Sequence, residues 1–557
     1  MLLSGADILV KTLIEQGCDT VFGYPGGQIL NVYDSLYLHQ KEINHILTAH
    51  EQGAAHAADG YARTTGKVGV VISTSGPGAT NLVTGIATAY LDSIPLVAIC
   101  GNVPTTQIGT DSFQEIDITG ITLPITKHNY FVGAVEDLAD TIREAFALAI
   151  SGRPGPVLID IPKDVQIAQC EYEPQAPVQR EIPKAAKAVR IEEAAQYINT
   201  AKRPFIYFGG GVVTANAQEE MLQLAEKIDA PIGCSLMGIS GIPTNHPRFL
   251  GMQGMHGHYA SSMAMHKADL ILSLGVRFND RVTGNRERFA VGARIIHVDV
   301  DGSELCKTVS AVCGLRGDVK STLKQLLPKL KEDRKPNWMA KIDALRREEE
   351  NHLDCREGLT PRKAILTLNQ YLGENTAVCT DVGQHQMWSA QTLAFRTPRR
   401  FVSSGGLGTM GFGLGAAIGA AFGTKERSVL VTGDGSFGMC LQELATAVTY
   451  KIPIVILIMN NGVLGMVRQW QTLFYQKHYS NTVLNRKTDF AALARAFGAD
   501  GEAVSTAEAL ENALKKAFQT DGPYVIDCTI DKDEFVLPML PPGGSMDDII
   551  VELEAEQ

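Results

Sequence analysis

The sequence predicts an α/β protein of three doubly wound domains, each a parallel sheet covered by helices on both faces. Three observations lead there. The chain has 557 residues, which at about 150 residues per domain makes three or four units, and three are expected. Short β-branched runs alternate with helical stretches along the whole length, the pattern of parallel strands joined by crossover helices. Two segments interrupt it, a Pro- and charge-rich stretch at 171–187 and a highly charged one at 329–354 that carries Pro336. Both read as linkers, the second partly helical. The expected boundaries are a domain at 1–170, a linker at 171–188, a domain at 189–330, a linker at 331–360, a domain at 361–531 and a tail at 532–557.

At the start, Ser4 is placed to cap a helix whose apolar face is Ala6, Leu9, Val10, Leu13 and Ile14 and which ends at Gly17. The first domain then has strand candidates at 20–22, 44–48, 68–72, 95–100 and 157–161. The second has them at 205–208, 270–274 and 294–298, and the third at 377–380, 428–431, 454–459 and 524–528. Blocks one and three share a layout, a strand running through a glycine turn into a helix. In block one the turn is Ser-Thr-Ser-Gly-Pro-Gly-Ala-Thr-Asn at 73–81, and in block three Thr-Gly-Asp-Gly-Ser-Phe-Gly at 432–438, with a helix expected from near Met439. Ligands of open α/β sheets gather at the carboxyl ends of the strands, so both turns mark where a site should be sought.

Composition narrows the partners. Hydrophobic residues are 45% and charged residues 20%, the balance of a soluble globular protein. A net charge of -11 leaves no basic face to attract nucleic-acid phosphates. Ten cysteines form neither a CxxC zinc pattern nor a disulfide framework, which suits a reducing cytoplasm. No signal or transit peptide is expected before the first helix. The longest apolar run, 452–459, falls far short of the roughly 20 residues that span a bilayer and reads as a buried strand. The expected partners are therefore small molecules or proteins, with no nucleic acid and no membrane.

The chemistry starts at Gly433-Asp434-Gly435-Ser436, followed after the next strand by Asn460-Asn461. Asp434 and Asn461 are thus neighbours at strand ends. Mg²⁺ takes oxygen ligands in an octahedron and shares them with phosphates, which a carboxylate (Asp434), an amide oxygen (Asn461) and the Val463 carbonyl can complete. The glycines allow backbone N–H groups close to a diphosphate. A lone Gly-Asp-Gly is ordinarily a tight turn with an exposed Asp, and the paired Asn-Asn is what argues against that. Two other glycine patterns are decoys. Residues 406–411 satisfy G-x-G-x-x-G without a convincing preceding strand or a ribose acid, and 60–67 has one residue too many for a P-loop and Val68 where Ser or Thr is required.

At this separation Gly-Asp-Gly and Asn-Asn resemble the thiamine diphosphate signature of the decarboxylases and carboligases. Further stretches are similar to the acetohydroxyacid (acetolactate) synthase family over nearly the whole chain: Phe-Gly-Tyr-Pro-Gly-Gly at 22–27, the His-Glu to Ala-Arg run at 50–63, Arg-Phe-Asn-Asp-Arg-Val-Thr-Gly at 277–284 and Gly-Met-Val-Arg-Gln-Trp at 465–470. The last two are the most particular to it. The resemblance implies pyrimidine-binding, central FAD-binding and diphosphate-binding domains in that order, with thiamine diphosphate, Mg²⁺ and FAD as cofactors. It implies decarboxylation of pyruvate and transfer of the hydroxyethyl group to a second 2-ketoacid, pyruvate or 2-ketobutyrate, at the first common step of branched-chain amino acid synthesis.

Residue roles follow from the same resemblance. Glu51, by itself only a carboxylate compensating a helix dipole, would bind the aminopyrimidine and activate the cofactor. The superfamily places it across a dimer interface from the metal, which implies a homodimer or tetramer, with a small regulatory subunit as a further partner. Met410 would prop the cofactor in its bent shape, with Gly408 beside it. Val382, Gly383, Gln384 and His385 would contact diphosphate or pyrimidine, as would Gly435, Ser436, Leu464, Gly465 and Met466. Arg281 would hold the carboxylate of the acceptor ketoacid as a planar fork and Trp470 would wall its alkyl group, although an isolated Arg or Trp is usually a surface salt bridge or a core filler. Gly27, Phe113, Gln114 and Lys163 match other pocket positions.

For FAD the matching positions are Arg153, Gly209, Gly210, Gly211, Leu236 and Met237, then Gly254, Met255, His256, Gly275, Arg277 and Arg281, and finally Asp299, Val300, Asp318 and Val319. Glycines let a pyrophosphate approach and a strand-end acid such as Asp299 can bond ribose hydroxyls. Carboligation needs no net redox step, so the flavin's part is expected to be largely structural. Asn279 stands where the family often has Asp, Gly462-Val463-Leu464 is an uncommon form of its loop, and the tail at 537–545 resembles its C-terminal lid, with order expected when cofactor is bound. The alternatives are a flavin-dependent pyruvate oxidase, a flavin-free catabolic acetolactate synthase, a glyoxylate carboligase (disfavoured by Glu51) and a catalytically dead metabolite-binding scaffold.

Overall fold

The computed structural model describes residues 1–353 and 356–552. Residues 354–355 of the expected second linker and 553–557 of the expected tail lie outside the described residues.

Each of three domains is built on a six-stranded, wholly parallel sheet with helices packed against it. The first is ordered Asn44–Leu47, Thr20–Gly23, Gly69–Ser73, Leu96–Asn102, Pro156–Pro162, His128–Phe131. The third is ordered Phe401–Val402, Ala377–Thr380, Ser428–Gly433, Ile454–Asn460, Tyr524–Thr529, Asp500–Val504. Numbered within each domain, both follow the order 2-1-3-4-6-5, so the shared glycine-turn layout extends to a shared topology. The central sheet runs Phe249–Met252, Ile232–Cys234, Pro204–Phe208, Leu270–Leu274, Arg294–Asp299, Cys313–Arg316, the 3-2-1-4-5-6 order of dinucleotide-binding folds.

Every strand expected from the sequence is present. Most of the remaining ones lie at sheet edges, where one side faces solvent or loops and the apolar run is broken. The interior strands are continuous in burial: all seven residues of Leu96–Asn102 and of Pro156–Pro162 are buried. Ser4 caps the Gly5–Glu15 helix as expected, its hydroxyl accepting from the Asp7 N–H at 3.1 Å. An antiparallel pair, Leu2–Ser4 with Gln169–Glu171, ties the chain start to the end of the first domain.

Two expectations change. The helix after the Ser428–Gly433 strand begins at Asp434 and runs to Cys440, with Gly433 as its N-cap. The glycines lower helix propensity, and packing on the sheet overrides it. Within the charged stretch at 331–360 the Pro336–Asn351 helix buries Trp338, Ile342 and Leu345 against Phe205 and Tyr207. The Trp338 indole donates to the Pro204 carbonyl at 3.0 Å, so this helix belongs to the core of the central sheet. Residues 60–65, inside the apparent P-loop, are helical. No helix among the described residues is long and apolar enough to cross a membrane.

The first and third domains pack through the Glu51–Thr65 and Gly413–Thr424 helices. Both are rich in Gly and Ala, which lets the backbones touch: a Cβ on Gly419 would lie 1.8 Å from the Ala57 carbonyl oxygen.

Candidate functional site

One cavity of about 1260 Å³ lies where the domains meet. Its walls come from the topological switch points of the central and third sheets, where neighbouring strands depart in opposite directions and leave a crevice.

In the third domain Gly433 pairs with Met459, so Asp434 and Asn461 emerge from adjacent strands about 5 Å apart. Both line the cavity, with Val463, Leu464, Gly465 and Met466 beyond. Burial pushes the Asp434 carboxyl up to about 6, against the lowering effect of its own and the Gly435 backbone N–H. Among the described residues no three His, Cys, Asp or Glu gather as a metal cage. One carboxylate, one amide and one carbonyl suit a hard cation that completes its octahedron with phosphate and water oxygens.

The diphosphate side fits in the same way. Val382, Gly383, Gln384 and His385 follow the Ala377–Thr380 strand and line the cavity with Gly408, Met410, Gly435 and Ser436. The His385 ring is wedged against Gly383 and Gly433, and a Cβ on either glycine would meet it at 2.8–2.9 Å. Burial drives its pKa down to about 3, and its buried Nε2 has no hydrogen-bond partner among the described residues. A buried polar atom of this kind needs a partner, which a group bound in the cavity would supply.

In the central domain Gly210, Gly211 and Gly275 line the cavity. Gly211 and Gly275 are so close that a Cβ on Gly211 would lie 2.6 Å from the Gly275 Cα, and Gly275 has a φ of +53°. Leu236, Met237, Met255, His256, Arg277, Asp299, Val300, Asp318 and Val319 complete this wall, with Arg153 from the first domain. Gly209 and Gly254 stand behind it and do not line the cavity; their missing side chains make room for Val276 and for the Arg281 carbonyl. The donors and acids suit a dinucleotide, although the Ile232–Cys234 strand, whose end ordinarily carries the ribose acid, is followed by Ser235. Asp299, buried and pushed up to about 6 by that burial, and Asp318 lie on this wall with Asp280 and with Glu304, which accepts from Arg153 at 3.0 Å.

Arg281 and Trp470, from different domains, meet at the cavity: the guanidinium carbon lies 5.7 Å from the indole centroid. Residues 406–411, the dinucleotide decoy, form the loop that carries Met410 into the cavity.

The remaining expected residues gather elsewhere. Glu51, Gly27, Phe113, Gln114 and Lys163 do not line the cavity of their own chain. They cluster at the carboxyl ends of the first sheet. The Asn81 amide donates to Glu51 at 2.9 Å, the Lys163 ammonium donates to the Gly27 carbonyl at 3.1 Å, and Gln114 packs on Gly76, itself two residues from Gly78 beside Glu51. Phe113 is 84% exposed, an aromatic that this chain leaves uncovered.

Two buried acids escaped the sequence reading. Asp381 accepts from the N–H groups of Val382 at 3.0 Å and Gly411 at 2.8 Å, tying the diphosphate loop to the residue after Met410. Glu443 accepts from the N–H groups of Ala49 and His50 at 3.1 and 3.0 Å, directly before Glu51, and burial raises its pKa. Each reaches backbone groups remote in sequence, Gly411 for Asp381 and Ala49 and His50 for Glu443, which no local motif signals.

Comparison with known proteins agrees with this layout. The Thiamine pyrophosphate enzyme family matches in three parts: its N-terminal TPP binding domain at residues 3–121, its central domain at 191–326 and its C-terminal TPP binding domain at 381–528. The chain is 44% identical to the probable acetolactate synthase large subunit of Methanocaldococcus jannaschii, over 100% of this chain and 96% of that protein. It is 45% identical to the acetolactate synthase isozyme 2 large subunit of Escherichia coli, over 99% and 100%, and 42% identical to the large subunit of Haemophilus influenzae, over 100% and 99%.

Proposed function

Since the chain belongs to the acetolactate synthase large subunits among the thiamine pyrophosphate enzymes, we propose that its cavity joins the hydroxyethyl fragment of pyruvate to a second 2-ketoacid, pyruvate or 2-ketobutyrate. The observation that carries this reading is that Asp434, Asn461 and the Arg281–Trp470 pair share one cavity.

Thiamine diphosphate, when bound, supplies a nucleophilic carbon and an electron sink for loss of CO2. Asp434, Asn461 and the Val463 carbonyl would hold Mg²⁺ and through it the diphosphate, with the His385 ring packed beside them. Met410 and the glycines of its loop shape the space behind. Glu51 of a second copy holds a proton at the aminopyrimidine, and Gln114, Lys163, Gly27 and Phe113 come with it to close the other side. The working unit is then a homodimer or a tetramer built from it. Arg281 receives the acceptor carboxylate as a planar fork, and Trp470 limits the alkyl group beside it. The residues around Gly211, Gly275 and Asp299 hold FAD, whose part is structural because carboligation needs no net electron transfer. A small regulatory subunit is the protein partner that fits the large-subunit relatives, and the cytoplasm is the compartment.

The test is an assay of purified protein with pyruvate, thiamine diphosphate, Mg²⁺ and FAD. Acetolactate is expected, with 2-aceto-2-hydroxybutyrate formed when 2-ketobutyrate competes and both lost without Mg²⁺. Acetate with reduced flavin would instead show an oxidase, and no product a dead scaffold.

A further inference from the structure

Glu443 belongs to the third domain but sits at the start of the Glu51–Thr65 helix. It ends the short turn Leu441–Glu443, which continues the Asp434–Cys440 helix. Its side chain is fully buried. The carboxylate takes two consecutive backbone donors, the Ala49 N–H at Oε2 (3.1 Å) and the His50 N–H at Oε1 (3.0 Å), and the Thr446 hydroxyl donates to Oε2 at 2.8 Å. Burial raises its pKa, these donors oppose the rise, and the nearby Glu51 adds to it. Burying one carboxylate beside another is costly, and every backbone bond that offsets the cost goes to the residues leading into Glu51.

All four backbone donors from 47 to 50 are engaged. The Leu47 N–H goes to the Tyr450 hydroxyl at 2.9 Å and the Thr48 N–H to the Gly23 carbonyl at 3.3 Å, and Glu443 takes the next two. Three of these four bonds are therefore to the third domain, within the stretch 443–450 that follows the Asp434 helix. The His50 ring then accepts the Gln52 N–H at 3.0 Å as the helix N-cap. Gly53 makes room for this grip, since a Cβ there would lie 2.1 Å from the Glu443 Oε1. With its backbone held in this way, Glu51 receives the Asn81 amide at 2.9 Å.

We propose that Glu443 is a positioning residue for Glu51: it fixes the backbone that aims the Glu51 carboxylate, and so acts in the cavity of a second copy and not in that of its own chain. The inference rests on reading Glu51 as the carboxylate that one copy supplies to the other. Each third domain then serves two sites, one through Asp434 and the other through Glu443.

Hydrogen exchange in the cofactor-free protein is the first test. Glu443→Gln keeps the shape but sets an amide donor against one of the two N–H groups, so exchange of residues 47–53 speeds about tenfold, while residues 382–385 keep the parent rate. Tyr450→Phe, at a partly exposed side chain, removes only the Leu47 acceptor and speeds the same residues about threefold. The second test places the lesion by chain. A mixed dimer of a Glu51→Gln chain and an Asp434→Asn chain has one intact cavity, on the first chain, completed by the glutamate of the second. Adding Glu443→Gln to the Asp434→Asn chain lowers acetolactate formation about tenfold; adding it to the Glu51→Gln chain leaves the mixed dimer as it was. Tyr450→Phe follows the same chain preference. Equal loss from either chain, loss only from the Glu51→Gln chain, or unchanged exchange at 47–53 overturns the positioning role. A mixed dimer already inactive before Glu443 is altered removes the shared-site reading and the proposal with it.

Discussion

Asp381 shows how much of the site is held by residues that touch no ligand. Its carboxylate is fully buried and accepts the N–H groups that flank the diphosphate loop and Met410. Burial pushes its pKa up to about 6, above the usual Asp value of about 3.9. The folded state therefore holds the proton more tightly than the unfolded chain. Its contribution to stability is full below about pH 4 and is lost as pH rises through about 6. Asp381→Asn removes the buried charge, which relieves that loss, and removes one acceptor, which costs about 1–3 kcal/mol. Net stability at pH 7 should move little, and the slope of stability between about pH 4 and 6 should flatten. Thiamine diphosphate affinity should fall about tenfold as the loop loosens, a loss of about 1.4 kcal/mol. Urea unfolding across that pH range and a fluorescence titration with the cofactor check both. At this scale the sequence was most informative where chemistry is local. Asp434 and Asn461 were legible because a strand end carries each. Asp381 and Glu443 were not, because each is paired with backbone groups on other elements.

Among the elements, the pair formed by the Glu51–Thr65 and Gly413–Thr424 helices decides how the first and third domains meet. On propensity alone, Gly419→Ala would stabilise a helix interior by about 1 kcal/mol. Here the new methyl group would lie 1.8 Å from the Ala57 carbonyl oxygen, and the helices must separate. We expect destabilisation of about 1–3 kcal/mol from overpacking, read from the urea midpoint; a gain in stability would contradict the close approach. The same pair explains why some elements could be read and others not. Interior strands such as Leu96–Asn102 are buried throughout and announce themselves as apolar runs. His128–Phe131 and Asp500–Val504, at sheet edges, are half exposed and do not. The Pro336–Asn351 helix looked like linker because its charged faces outnumber one narrow stripe, Trp338, Ile342 and Leu345.

At the scale of the whole molecule, the expected site residues of one chain fall into two separate groups. The cavity holds Asp434, Asn461, residues 382–385 and the Arg281–Trp470 pair, while Glu51 sits with Lys163, Gly27 and Gln114 at the ends of the first sheet, beside an uncovered Phe113. A symmetric dimer that sets each cavity against its partner's Glu51 cluster brings the two halves together twice. The sequence points to that arrangement only through resemblance, because no periodicity or spacing reports which copy of a residue completes a site. It is also the claim on which the proposed chemistry depends. The direct measurement is acetolactate formation from pyruvate by co-expressed Glu51→Gln and Asp434→Asn chains, each inactive alone. If the site is shared, a mixed dimer keeps one intact cavity, and random pairing restores about a quarter of the parent activity. If each chain completes its own site, every cavity in the mixture carries one of the two lesions, and activity stays at the level of the separate variants.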